Sequence, residues 1–329
     1  MSTILVTGGA GFLGSHIARE LVELKHRVIV LDDLSGGFKD NVPKGVRFIA
    51  CSVTDHKKIQ KIFDRYNFDY VFHLAAYAAE NLSCFIKRFN YTNNLIGSIN
   101  LINESIKHKV QCFVFTSSIA VYGEQATPFT EDLTPRPVDS YGIAKYTVEQ
   151  ELKISKNLFN MNYIIFRPHN IYGENQNTGD KYRNVMGIFI NQIMNNRPLS
   201  IFGDGTQTRQ FSYIGDVAPV MARSVLDARF YNQIVNVGSD NFYTVNTIAE
   251  KILNCFGHNP GINHLQKRHE VYSAIASHQK LKELGFLQKE TPLDEGIRRM
   301  VEWTKKVGIR KSKEFRNIEL TEGLPESWR

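Results

Sequence analysis

Thr3-Ile-Leu-Val-Thr-Gly-Gly-Ala-Gly-Phe-Leu-Gly14 is the stretch on which the fold turns. An apolar run at 4–7 meets Gly8, Gly11 and Gly14, and an amphipathic stretch at 15–25 follows, so the glycines stand in the turn between a strand and a helix. There they let the backbone approach a pyrophosphate at the helix amino terminus, where unpaired N–H groups and the helix dipole favour an anion. Asp32 stands eighteen positions after Gly14, at the end of a second apolar run at 27–31. A carboxylate there hydrogen-bonds a ribose 2′-hydroxyl and repels a 2′-phosphate, which favours NAD over NADP. Taken singly, the glycines would be a tight turn and Asp32 a turn residue; strand, turn, helix and acid together point to a dinucleotide.

Outward from that unit, short runs rich in Val, Ile and Phe lie at 46–50, 70–74, 112–117 and 163–166, separated by amphipathic stretches that include 55–66 and 94–108. Six strands with helical crossovers predict an α/β fold, a doubly wound parallel sheet of Rossmann type. Past Arg167 the pattern loosens into Gly/Asn/Asp-rich segments at 172–179 and 202–208, which predicts a smaller, interleaved α/β substrate lobe. The NAD-binding domain is expected at 1–168, with a helix at 216–228 and a strand at 235–237 bringing 214–238 back to it. The lobe is then 169–213 and 239–312, and the polar tail at 313–329 is expected to be poorly ordered.

The 329 residues, 42% hydrophobic and 22% charged, exclude fibrous, disordered and small disulfide-stapled classes. A formal charge of +7 suits nucleic acid, a membrane surface or a small anionic substrate alike. No nucleic-acid module and no apolar run long enough to span a bilayer is visible. Cys51, Cys84, Cys112 and Cys255 lack the spacing of a disulfide framework or zinc site, and His16, His73 and His169 form no metal constellation. His16 is expected on a helix surface, and the other two as satisfied structural polars near the cofactor. The reading is a cytoplasmic protein with no metal, nucleic-acid or membrane partner.

Tyr141-Gly-Ile-Ala-Lys145 places a phenol and an ammonium at i and i+4, on one face of a predicted helix. A lysine cation beside a phenol stabilises the phenolate and makes it a base. Ser118, in Phe115-Thr-Ser-Ser-Ile-Ala-Val-Tyr-Gly123, follows a strand's carboxyl end, where open α/β sheets bind ligands, and its hydroxyl can reach the same sugar oxygen. Alone, the Tyr–Lys pair could be an exposed helix pair and Ser118 a loop cap; the order glycine loop, Asp32, Ser118, Tyr141, Lys145 is far more specific.

With these motifs the chain resembles the extended short-chain dehydrogenase/reductases, specifically nucleotide-sugar epimerases of the UDP-glucose 4-epimerase type. The resemblance covers 1–300 and includes His73-Leu-Ala-Ala76, Asn94 and Arg167-Pro-His-Asn170. It implies tightly bound NAD, a UDP-sugar substrate and catalysis by Ser118, Tyr141 and Lys145. It also places Phe12, Leu13, Asp33, Ser52, Val53, Leu74, Ala75, Ala76, Asn94 and Thr116 with Gly8, Gly11, Gly14 and Asp32 around the cofactor. Ser52 is a departure, since family members often carry an acid there to hold the adenine. For the substrate, it implies Asn170 at the diphosphate or sugar, Phe202 at the base, and Arg209 and Arg268 on the diphosphate, where guanidinium groups grip phosphate by paired hydrogen bonds. Ser273 would leave room for an N-acetyl group beside the sugar C2; Tyr272 in that place would close it. A homodimer through helices at 94–108 and 141–158 is also implied.

Ile119-Ala120 chooses among the superfamily's reactions. Dehydratases and decarboxylases that resemble this chain carry Asp-Glu or Ser-Glu directly before Val-Tyr-Gly; here neither side chain can move a proton, so a 4-keto sugar can only be reduced again. That is epimerisation. The alternatives are a UDP-uronate epimerase, another nucleotide-sugar oxidoreductase or dehydratase, and a non-catalytic NAD-binding regulator.

Overall fold

The computed structural model describes all residues except 181, 183, 268–271, 287–289, 311–314, 316, 326, 327 and 329. Its strands are β1 (Thr3–Thr7), β2 (Arg27–Asp32), β3 (Arg47–Ala50), β4 (Tyr70–His73), β5 (Cys112–Thr116), β6 (Asn162–Pro168), β7 (Ile171–Tyr172), β8 (Leu199–Phe202), β9 (Thr208–Gln210), β10 (Ser212–Tyr213), β11 (Gln233–Val237), β12 (Phe242–Thr244), β13 (Ile262–Leu265) and β14 (Ser273–Ala274). Its helices are α1 (Phe12–Glu23), α2 (His56–Arg65), α3 (Glu80–Ser83), α4 (Lys87–Tyr91), α5 (Gly97–Lys107), α6 (Ser140–Phe159), α7 (Val185–Met194), α8 (Ile214–Arg223), α9 (Val245–Phe256), α10 (Gln279–Glu283) and α11 (Leu293–Val307).

Seven parallel strands form the central sheet in the order β11-β6-β5-β4-β1-β2-β3. Alternation along each strand divides the core. Ile4, Val6, Val28 and Val30 face the layer of α1 and α8, while Leu5, Ile29 and Leu31 face that of α2, α5 and α6. Both faces are covered, which is why these strands read as unbroken apolar runs. The order reverses beside β1, with β2 on one side and β4 on the other, and the crevice at their carboxyl ends is the ligand position of an open α/β sheet.

The seventh strand, β11, pairs with β6 and brings the chain back to the sheet after β7 to β10. Outside the central sheet the chain forms the small sheets β13-β8 and β12-β9-β14, and α7, α9 and α11 join β8 in the same apolar cluster as one face of the central sheet. The stretch expected to form one helix at 94–108 begins inside a π-helical turn at Thr92–Ile96, which follows directly on α4, and continues as α5.

The tail corrects the expectation of poor order among its described residues. Leu324 and Trp328 are buried with Ala79, Leu82 and Ile86, and Phe315 and Ile318 pack beside them. A few apolar residues spaced through a polar segment carry no helical or strand period, so the contact was invisible in the pattern.

Candidate functional site

The glycine turn is shaped by close approach. Gly8 adopts φ +70°, and a Cβ on it would come within 2.7 Å of the Ala75 backbone nitrogen; a Cβ on Gly14 would lie 2.2 Å from the Gly8 carbonyl oxygen. The loop is therefore seated against the segment that leaves β4, where Leu74 and Ala75 stand. Helix α1 has Gly11 as its N-cap residue, so it has no side-chain cap, and it has no acid in its first turn; its amino end is suited to an anion. Phe12 and Leu13 pack half-buried on the core behind it.

Asp32 lies at the end of β2 with one carboxylate oxygen accepting from the Ala10 N–H (3.0 Å) and the other from the Leu34 N–H (2.8 Å). Burial raises its pKa, and those N–H bonds oppose the shift. Around it, Asp33 accepts from the Ser35 N–H, Ser52 shares a hydrogen bond with Thr54, and buried Val53 packs against Gly97 of α5. Asn94 sits in the π turn and brackets the chain beyond β4: it accepts from the Tyr77 N–H (2.9 Å) and donates to the Tyr77 carbonyl (3.1 Å).

Helix α6 carries the Tyr–Lys pair. Asp139 caps it by accepting from the Gly142 N–H at 2.8 Å, and Ser83 Oγ accepts from the Tyr141 N–H at 3.0 Å. Lys145 Nζ donates to the Thr116 carbonyl at 2.7 Å and lies 5.6 Å from the Tyr141 ring centre, so the ammonium stands between the end of β5 and the phenol ring. Lys145 is 2% exposed; burial pulls its pKa down to about 7, and the Glu149 charge one turn along pulls it up. Thr116 Oγ1 is buried with no hydrogen-bond partner among the described residues, an orphaned donor at that point. Ser118 follows, its hydroxyl accepting from the Ala120 N–H at 3.1 Å. Ala120 is buried, and neither it nor Ile119 offers a titratable group.

The structure adds a network absent from the sequence reading. Glu149 accepts from Arg167 Nε (2.9 Å) and Nη2 (2.6 Å) and from the Ser117 hydroxyl (2.5 Å), and it fastens α6 to the ends of β5 and β6. Its position four residues after Lys145 was the available signal, because it shares that helical face. His73 and His169 are both satisfied: His73 lies 2.8 Å from Thr7 Oγ1 and from Ser98 Oγ, and His169 Nε2 lies 2.9 Å from His278 Nε2. His16 is not a free surface residue; its Nε2 lies 2.9 Å from the Glu174 carbonyl.

The substrate-side candidates are more scattered. Asn170, at φ +31°, donates to the Gln210 carbonyl at 3.0 Å, and Phe202 ends β8. Arg209 Nη1 donates to the carbonyls of Thr208 (2.8 Å) and Tyr272 (2.9 Å), which brings it beside Ser273, the register partner of Thr208. Ser273 Oγ lies 3.2 Å from Thr208 Oγ1, while the exposed Tyr272 hydroxyl donates to Thr206 Oγ1. Arg268 lies outside the described residues.

A parallel sheet with a glycine cradle at its switch point, and a helical Tyr–Lys pair whose lysine is anchored on the end of β5, are the features of an extended short-chain dehydrogenase/reductase. The chain belongs to the NAD dependent epimerase/dehydratase family, which residues 4–238 match. A protein of Methanocaldococcus jannaschii, provisionally assigned as a UDP-glucose 4-epimerase, is 35% identical over 92% of this chain and 98% of its own. The crystal structure of a Thermotoga maritima UDP-glucose 4-epimerase with UDP-glucose superposes with a TM-score of 0.86 at 34% identity, covering 93% of this chain and 99% of that one. A Bacillus cereus UDP-glucuronic acid 4-epimerase in complex with UDP-glucuronic acid and NAD gives a TM-score of 0.83 at 26% identity, over 93% and 100%. The cradle, the uncapped helix end, Asp32 and the orphaned Thr116 hydroxyl suit the family's cofactor. Among the described residues, no helix is long and apolar enough to cross a membrane, and no group of three His, Cys, Asp or Glu could hold a metal.

Proposed function

We propose that this chain is an NAD-dependent 4-epimerase of UDP-hexoses, interconverting UDP-glucose with UDP-galactose and accepting the N-acetylated pair. The observation that supports the reading is Lys145 Nζ lying between the Thr116 carbonyl at the end of β5 and the Tyr141 ring, with Ser118 two residues beyond Thr116 and only Ile119 and Ala120 where a second acid or base would stand.

Gly8, Gly11 and Gly14 would receive the pyrophosphate, with Phe12 and Leu13 behind them. Asp32 would take the ribose, Asp33, Ser52 and Val53 would border the adenine side, and Leu74, Ala75, Ala76, Asn94 and Thr116 would line the rest. When bound, NAD accepts a hydride from the sugar carbon and later returns it. Tyr141, as phenolate, takes the proton of the C4 hydroxyl and gives it back after the sugar has turned over. Ser118 holds the same oxygen, and Lys145, anchored on the Thr116 carbonyl, keeps a positive charge beside the phenol. With no further proton-transfer group at 119–120, return of the hydride is the only exit for the ketone, and the net redox change is zero. Asn170, Phe202, Arg209, Arg268 and Ser273 form the proposed substrate set, the arginines meeting the diphosphate.

A homodimer is part of the proposal. Ile143, Ile154 and Leu158 leave an exposed apolar stripe on α6, with Ile96 exposed at the end of the π-helical turn, a face that a second copy would cover. Four free cysteines suit a reducing cytoplasm. The second reading is a UDP-uronate 4-epimerase, which the Bacillus cereus likeness favours; Asn170, where a uronate enzyme would carry threonine, speaks against it. Product analysis by NMR after incubation with UDP-galactose, UDP-N-acetylgalactosamine and UDP-galacturonate tests the assignment. Conversion of the first two is expected; conversion of the uronate alone, or stoichiometric release of NADH, overturns it.

A further inference from the structure

Between β4 and α5 the chain makes α3, a single turn of four residues, and then α4, which opens a continuous helical segment that passes through the π-helical turn at Thr92–Ile96 into α5. The inner side of this layer is hydrogen-bonded to the start of the catalytic helix. Ser83 accepts from the Tyr141 N–H at 3.0 Å, and Asn90 donates to the Ser140 carbonyl at 2.8 Å. Asn90 also accepts from Asn94 at 2.8 Å, and Asn94 in turn holds the backbone of Tyr77.

The outer side is covered by the tail. The Phe315 ring stacks on Tyr77 with centres 5.1 Å apart and meets Phe89 edge-on at 4.8 Å. The Glu319 carboxylate accepts from the N–H groups of Arg88 and Phe89, each at 2.8 Å, and supplies the cap that Ile86 cannot give α4. The Glu319 and Leu320 N–H groups donate to the Phe85 carbonyl at 2.9 and 3.1 Å. Trp328 meets Tyr182 edge-on at 5.4 Å, and the Tyr182 hydroxyl donates to its carbonyl at 3.4 Å.

We infer that the tail is a positioning clasp for Tyr141: Phe315, Glu319 and Trp328 fix the layer at 77–91, and that layer fixes the first turn of α6. The inference rests on the reading of Tyr141 as the base. The tail touches no reacting atom and acts through Ser83 and Asn90, so its loss is felt in turnover more than in cofactor retention.

The test compares wild type with Phe315→Ala and Glu319→Ala. In each variant kcat is expected to fall about tenfold, as a displaced base requires, with co-purified NAD unchanged. Amide exchange of Arg88, Phe89 and Tyr141 is expected to speed up together. Glu319→Gln, which keeps the shape and one acceptor for the α4 N–H groups, should recover at least half of the lost kcat. If an alanine variant does not retain NAD, Phe315→Leu, which keeps the bulk and loses the ring stacking, replaces it. Turnover within a factor of two of wild type overturns the clasp, as does faster exchange at Arg88 and Phe89 with none at Tyr141. A wild-type enzyme inactive on every UDP-sugar would overturn the proposed function instead, while the exchange data would still decide for or against the clasp.

Discussion

Glu149→Gln is the most incisive single change. Glu149 and Arg167 are 0% and 1% exposed, joined by two charge-assisted hydrogen bonds of 2.9 and 2.6 Å, with the guanidinium 4.7 Å over the Tyr122 ring. Burial works against the Arg167 charge; the paired carboxylate holds it protonated. The amide keeps the shape but removes the countercharge and turns an NH2 toward the guanidinium or the Ser117 hydroxyl. Leaving one member of a buried pair uncompensated costs about 3–5 kcal/mol. The unfolding entropy of 329 residues, at roughly 2.1 cal/mol/K each, comes to about 0.7 kcal/mol/K, so Tm should fall by roughly 4–7 °C. Glu149 also supports the charge on Lys145, whose pKa burial has already lowered to about 7. Its loss drives that pKa down further, and kcat at neutral pH should fall with it. Thermal unfolding followed by fluorescence, together with the pH profile of kcat, reads both effects. The double variant Glu149→Leu/Arg167→Met should regain most of the stability, because the stranded charge is gone. A Glu149→Gln protein melting within about 1 °C of wild type would show that the pair is not the buried, uncompensated system described.

Tyr141→Phe should lower turnover by about two orders of magnitude or more while NAD remains bound after gel filtration, since only the proton-transfer group is lost; near-normal activity would remove Tyr141 as the base. Gly14→Ala sets a methyl 2.2 Å from the Gly8 carbonyl, so the turn must move, and the purified protein should come without NAD; full cofactor occupancy would contradict that crowding. Lys145 gives a pH signature. Its folded pKa, about 7, is depressed below the unfolded value of 10.5, so the unfolded chain holds the extra proton between those limits and apoprotein stability gains up to about 1.4 kcal/mol per pH unit as pH rises through the window. Denaturant titrations of Lys145→Met from pH 7 to 10 should lack that gain, and a slope equal to wild type would refute it.

The glycine turn, Asp32, the six sheet strands and the Tyr–Lys pair were legible because each is a local relation: adjacent residues, an i,i+4 spacing, or a run whose period sets its element. Ser118 was legible by its place after a strand. The short helices α3 and α4 and the π turn were not, because their propensity is weak and their form depends on packing. Asn94 shows the difference: its place in a helix was readable, but its grip on Tyr77, seventeen residues away, was not.

By itself, then, the sequence determined a doubly wound sheet, a dinucleotide turn and the chemistry of a phenol beside an ammonium. Only the tertiary structure decided which distant groups surround that pair: Glu149 and Arg167 beneath α6, Ser83 at its first turn, and the tail on the outer face of the layer that holds Ser83. The reason is physical. Backbone periodicity and short-range sterics are encoded along the chain, whereas a buried ion pair or an aromatic stack between Tyr77 and Phe315 exists only once the folded core has removed water from both partners.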